Sequence, residues 1–361
     1  MAKAEVSTNR TQSPNEAKAA IRKCFKVGRP VFMWGPPGIG KSDIIHQIAA
    51  ETERDVIDVR LSLWEPTDIK GIPFYHPEQK TMQWAPPIEL PSDPNSTAVL
   101  FLDELNSAAP ATQAAAYQLI LNRRVGTYYL PKGVSIVAAG NREGDKGVTY
   151  RMPAPLANRF LHLELKPSFD DWQEWAVANK IHEQVVGYVG FAKNDLYDYD
   201  PKSSSRSFAT PRSWSFVSDL LGDDDLPEST LTDLVAGAIG EGLAVKFMAH
   251  RKVAKQMPKP EDILDGKVKK MDIKEISAMY SLTISMCYEL QSSWEKKAKN
   301  WNEMADNFFG FMMDNFPTEL VVMGSKVALT NYQLPFDASK LKNFDRFHEN
   351  YGKYVMVAME N

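Results

Sequence analysis

The sequence predicts an α/β fold over its first half, with a parallel five-stranded sheet between helices, and a helical second half. Three observations predict it. Short apolar runs at 31–34, 56–61, 98–102, 134–139 and 160–165 alternate with helical patterns, as in a parallel sheet covered by helices. The runs at 98–102 and 134–139 are continuously apolar, as strands buried on both faces are. Beyond residue 165 helical spacing replaces the short apolar runs.

Taken in order, residues 1–20 read as a polar N-terminal segment and 21–166 as the α/β core. Within that core, the first run (31–34) leads into a Gly-rich loop and then a helical pattern. After the second run (56–61) comes an insert, 64–95, holding Pro66, Pro73, Pro77, Pro86, Pro87, Pro91 and Pro94. So much proline excludes a long helix and favours an inserted hairpin or loop. Its Ile72, Phe74, Tyr75 and Trp84 either offer contacts to a partner or pack down on the core. A second small hairpin is expected at 124–132, ahead of the run at 134–139. Residues 167–260 read as helical, with a polar interruption at 197–207 and an acidic turn at 222–228. Helical spacing recurs at 230–250 and at 273–290, where Ile276, Met279, Tyr280, Thr283, Cys287 and Leu290 share one face. The Phe- and Met-rich stretch 307–316 reads as buried packing, with a partner surface as the alternative. Residues 261–361 form a helical region of unknown role.

The chain has 361 residues, 42 Lys+Arg and 46 Asp+Glu, for a formal charge of −4. At 43% hydrophobic and 24% charged it excludes disorder, collagen-like repeats and a coiled-coil rod. Cys24 and Cys287 are too few for a disulfide framework or a four-ligand zinc site, which fits a reducing compartment. His46, His76, His162, His182, His250 and His348 are scattered, with no pair at zinc-ligand spacing. No apolar run nears the ~20 residues of a membrane span, and the polar start has no signal-peptide core, so a cytoplasmic protein is expected. The near-neutral charge gives no global case for nucleic-acid binding, although the basic residues from Arg10 to Arg29 and from Arg251 to Lys259 keep that alternative open.

Three motifs carry chemistry. Gly35-Pro36-Pro37-Gly38-Ile39-Gly40-Lys41-Ser42 matches G-x-x-x-x-G-K-[ST], directly after an apolar run and before a helical one. Glycines let the backbone wrap phosphates, and the helix N-terminus favours an anion there. Lys41 is expected to reach the β/γ-phosphates and the Ser42 hydroxyl to ligate Mg²⁺. The run ending Leu102-Asp103-Glu104 places two carboxylates where open α/β sheets bind ligands. Asp103 then holds Mg²⁺ through its water shell, and Glu104 orients or deprotonates the attacking water. The run at 134–139 ends in Gly140-Asn141, where Asn141 either contacts the γ-phosphate or lytic water or simply forms a turn.

With Arg159-Phe160 opening the last strand, these motifs resemble an AAA+ ATPase: GPPGIGKS as Walker A, VLFLDE as Walker B, AAGN as the first sensor. The resemblance implies a P-loop AAA+ core over 21–166, an α-helical lid over 167–260, and ATP and Mg²⁺ as ligands. It makes Arg159 the arginine finger acting on a neighbouring subunit's nucleotide, with Arg151 and Arg124 as competing candidates. Thr210-Pro211-Arg212 is similar to the second sensor, so Arg212 contacts the γ-phosphate, in cis or in trans. The family often has Asp where this chain has Asn158. The insert, with Asp68-Ile69-Lys70-Gly71, and the hairpin before the sensor strand are similar to the MoxR branch. That branch implies a hexameric homo-oligomeric ring that remodels or chaperones a protein client, commonly with a von Willebrand factor A domain partner. The alternative is an AAA+ nucleic-acid motor or loader. No serine-nucleophile elbow is present.

Overall fold

The structure is a computed structural model, described here for residues 10–142, 144–145, 149–222 and 226–360. The chain divides into two compact units, 1–168 with 200–203, and 169–199 with 204–361.

The first unit opens with a two-residue strand β1 (Thr11–Gln12) and helix α1 (Pro14–Val27). A capping box starts α1: the Ser13 hydroxyl accepts from the Glu16 amide at 3.4 Å, while the Glu16 carboxylate accepts from the Ser13 amide at 2.8 Å. There follow β2 (Val31–Trp34), α2 (Lys41–Glu51), β3 (Val56–Arg60) and the insert, which holds a short helix α3 (Pro66–Lys70) and the strands β4 (Ile72–His76) and β5 (Thr81–Ala85). Next come β6 (Val99–Asp103), α4 (Pro110–Asn122), the two-residue strands β7 (Arg124–Val125) and β8 (Tyr128–Tyr129), β9 (Ser135–Gly140), α5 (Ala154–Ala157) and β10 (Leu161–Leu165).

The main sheet has the order β1-β10-β2-β9-β6-β3, and every pair is parallel. The sheet therefore has six strands rather than the five expected. The extra strand is β1, whose Thr11 and Gln12 pair with Glu164 and Leu165. Two polar residues leave no apolar run to betray a strand. Alternation along the strands sorts the core into two layers. Val31, Met33, Val99, Phe101, Val137 and Ala139 face α1 and α2, packing against Ile21, Ile44, Ile45 and Ile48. Phe32, Leu100, Leu102, Ile136 and Ala138 point the other way, onto Ala115, Ala116 and Leu119 of α4. Each Val, Leu, Ile, Phe or Met side chain among them, fully buried, contributes roughly 1.5–3 kcal/mol. Strands β4 and β5 pair antiparallel with Tyr75 opposite Met82, and β7 and β8 pair antiparallel as well. Ile72, Tyr75 and Met82 are 70%, 59% and 64% exposed, whereas Trp84 is half-buried against Gly126. The choice between contact residues and core packing therefore splits within the insert.

The second unit is helical: α6 (Phe169–Ala178), α7 (Glu183–Phe191), α8 (Pro211–Leu220), α9 (Glu228–Ile239), α10 (Glu241–Ala254), α11 (Pro260–Leu264), α12 (Ile276–Glu295), α13 (Trp301–Asn315), α14 (Thr318–Thr330) and α15 (Phe344–Glu360). The helical stretch at 230–250 is two helices, because Gly240 takes φ +91° and breaks it. Asp223, Asp224 and Asp225 of the acidic turn lie outside the described residues. Gly187 and Gly190 of α7 let α12 approach closely: a Cβ on Gly187 would stand 2.2 Å from Ser281 Oγ, and one on Gly190 2.3 Å from the Tyr280 ring. Phe308, Phe309, Phe311, Met312 and Phe316 are buried, so the 307–316 stretch packs inside, as does Cys287. Ile276, expected on the buried face, is exposed at the start of α12. Among the described residues no helix is long and apolar enough to cross a membrane.

Candidate functional site

The phosphate loop spans the gap between the end of β2 and the start of α2. Gly38 and Gly40 take φ +73° and +92°, a conformation that glycine reaches without steric cost. Gly35 packs so closely that a Cβ there would lie 3.2 Å from Leu165 Cβ, and its amide donates to Gly140 O at 3.3 Å. Ile39 is buried and anchors the loop to the core. Pro36 and Pro37 fix φ between these anchors. Gly40 is the N-cap of α2 and supplies no side chain, so the first-turn N–H groups remain for an anion.

Lys41 folds back over this loop. Its Nζ donates to Gly35 O at 2.7 Å, to Pro36 O at 3.2 Å and to Asn141 Oδ1 at 2.9 Å. Asn141 follows β9, and β9 lies directly beside β2 in the sheet, with Gly140 opposite Trp34. On the other flank of β9, Asp103 closes β6, and Ser42 Oγ donates to its Oδ2 at 3.3 Å. Asp103 is buried, which raises its pKa above the ordinary carboxylate value; the Glu104 amide, donating to Oδ1 at 2.9 Å, and the charge of Lys41 oppose that shift. Ser42 and Asp103 thus present adjacent hard oxygen donors, the set that suits Mg²⁺ shared with phosphate oxygens. Among the described residues, no group of three His, Cys, Asp or Glu side chains could hold a metal by itself.

Glu104 sits at φ +55°, a left-handed conformation that costs a non-glycine residue about 1–3 kcal/mol and clusters at functional sites. The turn aims its carboxylate sideways, where it accepts a hydrogen bond from Ser62 Oγ and lies 3.9 Å from Arg60 Nε. Arg60 and Ser62 come from the end of β3, which pairs with β6 so that Arg60 is opposite Asp103. Neither was singled out from the sequence, nor was Asn106. Asn106 is buried, its Nδ2 donates to Asn141 O at 2.8 Å, and Gly140 leaves room for it, since a Cβ there would stand 2.1 Å from Asn106 Oδ1.

The structure therefore gathers Gly35 to Ser42, Asp103, Glu104 and Asn141 at the C-terminal edge of the sheet. Arg159 is elsewhere. It precedes β10, whose Leu161 is opposite Val31 at the start of β2, so Arg159 lies at the N-terminal edge. Four strand residues at ~3.3 Å each separate the two edges by about 13 Å before the loop is counted. Arg159 is exposed. Arg124 is engaged within its hairpin, donating from Nε to Gly126 O at 2.9 Å and lying over the Tyr129 ring. Arg151 is exposed and follows Tyr150, whose amide donates to Asn106 O at 2.7 Å. Arg212 belongs to the second unit, in the first turn of α8, which Thr210 caps by accepting from the Ser213 amide at 3.1 Å.

Residues 30–162 match the model of a family described as ATPase family associated with various cellular activities (AAA). That segment is an AAA-type P-loop ATPase domain. The match covers less than half of the chain. A curated relative, Midasin of Giardia intestinalis, is 24% identical over 198 residues, which is 51% of this chain and 4% of that protein's length. Among solved structures, a RuvB mutant of Thermotoga maritima aligns with TM-score 0.37 and 17% identity, covering 84% of this chain and 91% of that one. A second RuvB mutant of the same organism aligns with TM-score 0.37 and 17% identity, over 83% and 85%. Both scores are low, and the fold assignment rests on the strand order itself.

Proposed function

We propose that the protein is a Mg-ATP-dependent, ring-forming ATPase of the MoxR-like kind, which works in the cytoplasm on a protein client. The observation that carries ring formation is the position of Arg159, exposed at the sheet edge opposite Lys41. A cation there cannot serve its own loop, but it can serve the loop of a neighbouring copy.

The loop amides and Lys41 bind the phosphates, and Lys41 exchanges its contacts with the Gly35 and Pro36 carbonyls for phosphate oxygens. Ser42 and Asp103 hold magnesium, which when bound neutralises charge on the phosphate oxygens. Asn141, steadied by Asn106, orients the attacking water. Glu104 accepts a proton from that water at a carboxylate oxygen, once the carboxylate has turned from Ser62. Arg159 of a neighbour stabilises the charge of the transferring phosphoryl group, a role worth roughly 10³–10⁵ in rate in other NTPases. Arg212 completes the γ-phosphate contacts, in cis or in trans.

The client surface is the insert hairpin, where Ile72 and Phe74 on one face and Tyr75 and Met82 on the other offer exposed apolar area. A von Willebrand factor A domain partner fits the same branch. Nucleic-acid binding is the weaker reading, since Arg22 and Lys18 of the N-terminal basic stretch are paired with Glu51. Mass measurement in solution tests assembly: the Glu104→Gln protein with ATP is expected as a closed oligomer, and a monomer at micromolar concentration contradicts the proposal.

A further inference from the structure

At the sheet edge opposite the phosphate loop lies a cavity of about 210 Å³, lined by Arg29, Arg123 and Arg159 together with Cys24 and Ser135. We infer that these three arginines form a second oxyanion site, one that takes a phosphate group.

Three arginines and no Asp or Glu line the cavity. Among the described residues, neither Arg29 nor Arg159 forms an ion pair. Arg123 donates from Nη2 to Pro131 O at 2.5 Å and to Val134 O at 2.8 Å, which locks its position. A fourth cation adds to the field: Arg54 donates to Ser135 Oγ at 3.0 Å.

The opposing terms are smaller. Helices α1 and α4 both end at this cavity, Gly28 being the C-cap of one and Arg123 of the other. Each C-terminus carries roughly −0.5 of a charge, about −1 together against three formal positive charges. The Cys24 thiol is pushed up by burial and adds no negative charge. The volume is below the ~300 Å³ at which pockets begin to hold drug-sized ligands, so the occupant is a small anion or the end of a larger one. Guanidinium groups match phosphate by paired N–H donors.

The phosphate has two possible sources: the terminal phosphate of a nucleotide held by a neighbouring copy, which rests on the ring-forming reading above, or free phosphate, which does not. In the first case Arg29 is a second trans-acting arginine beside Arg159, and Arg123 positions the pair.

The test has two arms. Inorganic phosphate and pyrophosphate are titrated calorimetrically, at low ionic strength, into the full chain carrying Lys41→Ala, with and without Arg29→Gln. Hydrolysis by Arg29→Gln protein is measured alone and after mixing with Lys41→Ala protein. Loss of at least tenfold in phosphate affinity supports the site with free phosphate. A fall of at least tenfold in hydrolysis, regained on mixing, supports it with the neighbour's nucleotide. Arg29→Lys, which keeps the charge, is expected to retain part of either effect, and Arg29 is exposed, so folding is not at stake. Unchanged behaviour of Arg29→Gln in both arms overturns the inference. If Arg159→Gln then still loses hydrolysis in trans, the finger reading survives alone. If Arg29→Gln loses phosphate while Arg159→Gln hydrolyses normally, the pocket survives and the finger reading fails.

Discussion

Lys41 Nζ donates to Asn141 Oδ1 at 2.9 Å, joining the helix after β2 to the residue after β9. This contact ties the phosphate loop to the residue proposed to orient the water, and the two residues should separate on mutation. Lys41→Ala is expected to weaken nucleotide binding severely. Asn141→Ala should leave the dissociation constant within a few-fold and lower turnover by about 10²-fold, read by equilibrium binding and steady-state hydrolysis.

Glu104 makes the complementary prediction. Glu104→Gln keeps its place after β6 and should bind nucleotide normally while turnover falls by at least ~100-fold, as expected for loss of a general base. Near-normal hydrolysis would remove Glu104 from that role. Because Ser62 donates to the Glu104 carboxylate, Ser62→Ala should change turnover and leave nucleotide affinity alone.

Asp103 trades stability for function. Burial raises its pKa in the folded state, so the charged form is unfavourable there, and stability is lost as pH rises through that pKa. Asp103→Asn should therefore raise the melting temperature of the nucleotide-free protein at neutral pH while abolishing hydrolysis. A lowered melting temperature would contradict the assignment of burial as the dominant cause.

His250 has the opposite sign. It is 7% exposed, its Nε2 lies 2.7 Å from Ser281 Oγ, and burial lowers its pKa to about 4 despite the opposing charge of Glu275. The folded protein prefers neutral His250. Its contribution is complete above the unfolded value of about 6.5 and is lost as pH falls toward 4, by roughly 3 kcal/mol in total. Urea midpoints at several pH values, compared between the wild type and His250→Gln, should differ in slope across that window. Parallel curves would refute it.

The α7–α12 crossing is set by glycine. Gly187→Ala would place a methyl group 2.8 Å from the Ser281 Cα, where backbone must move, and should destabilise the helical unit by about 1–3 kcal/mol in urea.

Much of this arrangement is legible in the sequence, because each strand of the core except β1 carries an apolar run and the phosphate loop has a rigid spacing. The helix break at Gly240 was not, since apolar periodicity continues across it, and Ile276 kept the right phase while lying at an exposed helix end. Ser62, Arg60 and Asn106 were illegible for another reason. They act through sheet adjacency, β3 beside β6 and β6 beside β9, and neighbours across a parallel sheet are remote in sequence. Arg29 and Arg123 share that property, since each is near Arg159 only after folding.

Completion of the site by a second copy is tested most directly by subunit mixing. Lys41→Ala and Arg159→Ala proteins should each hydrolyse ATP at a small fraction of the wild-type rate. Mixed in equal amounts, they should regain hydrolysis, because an intact loop on one subunit can then meet an intact Arg159 on the next. A mixture no more active than the sum of its parts, or an Arg159→Ala protein with wild-type activity, would contradict a shared site.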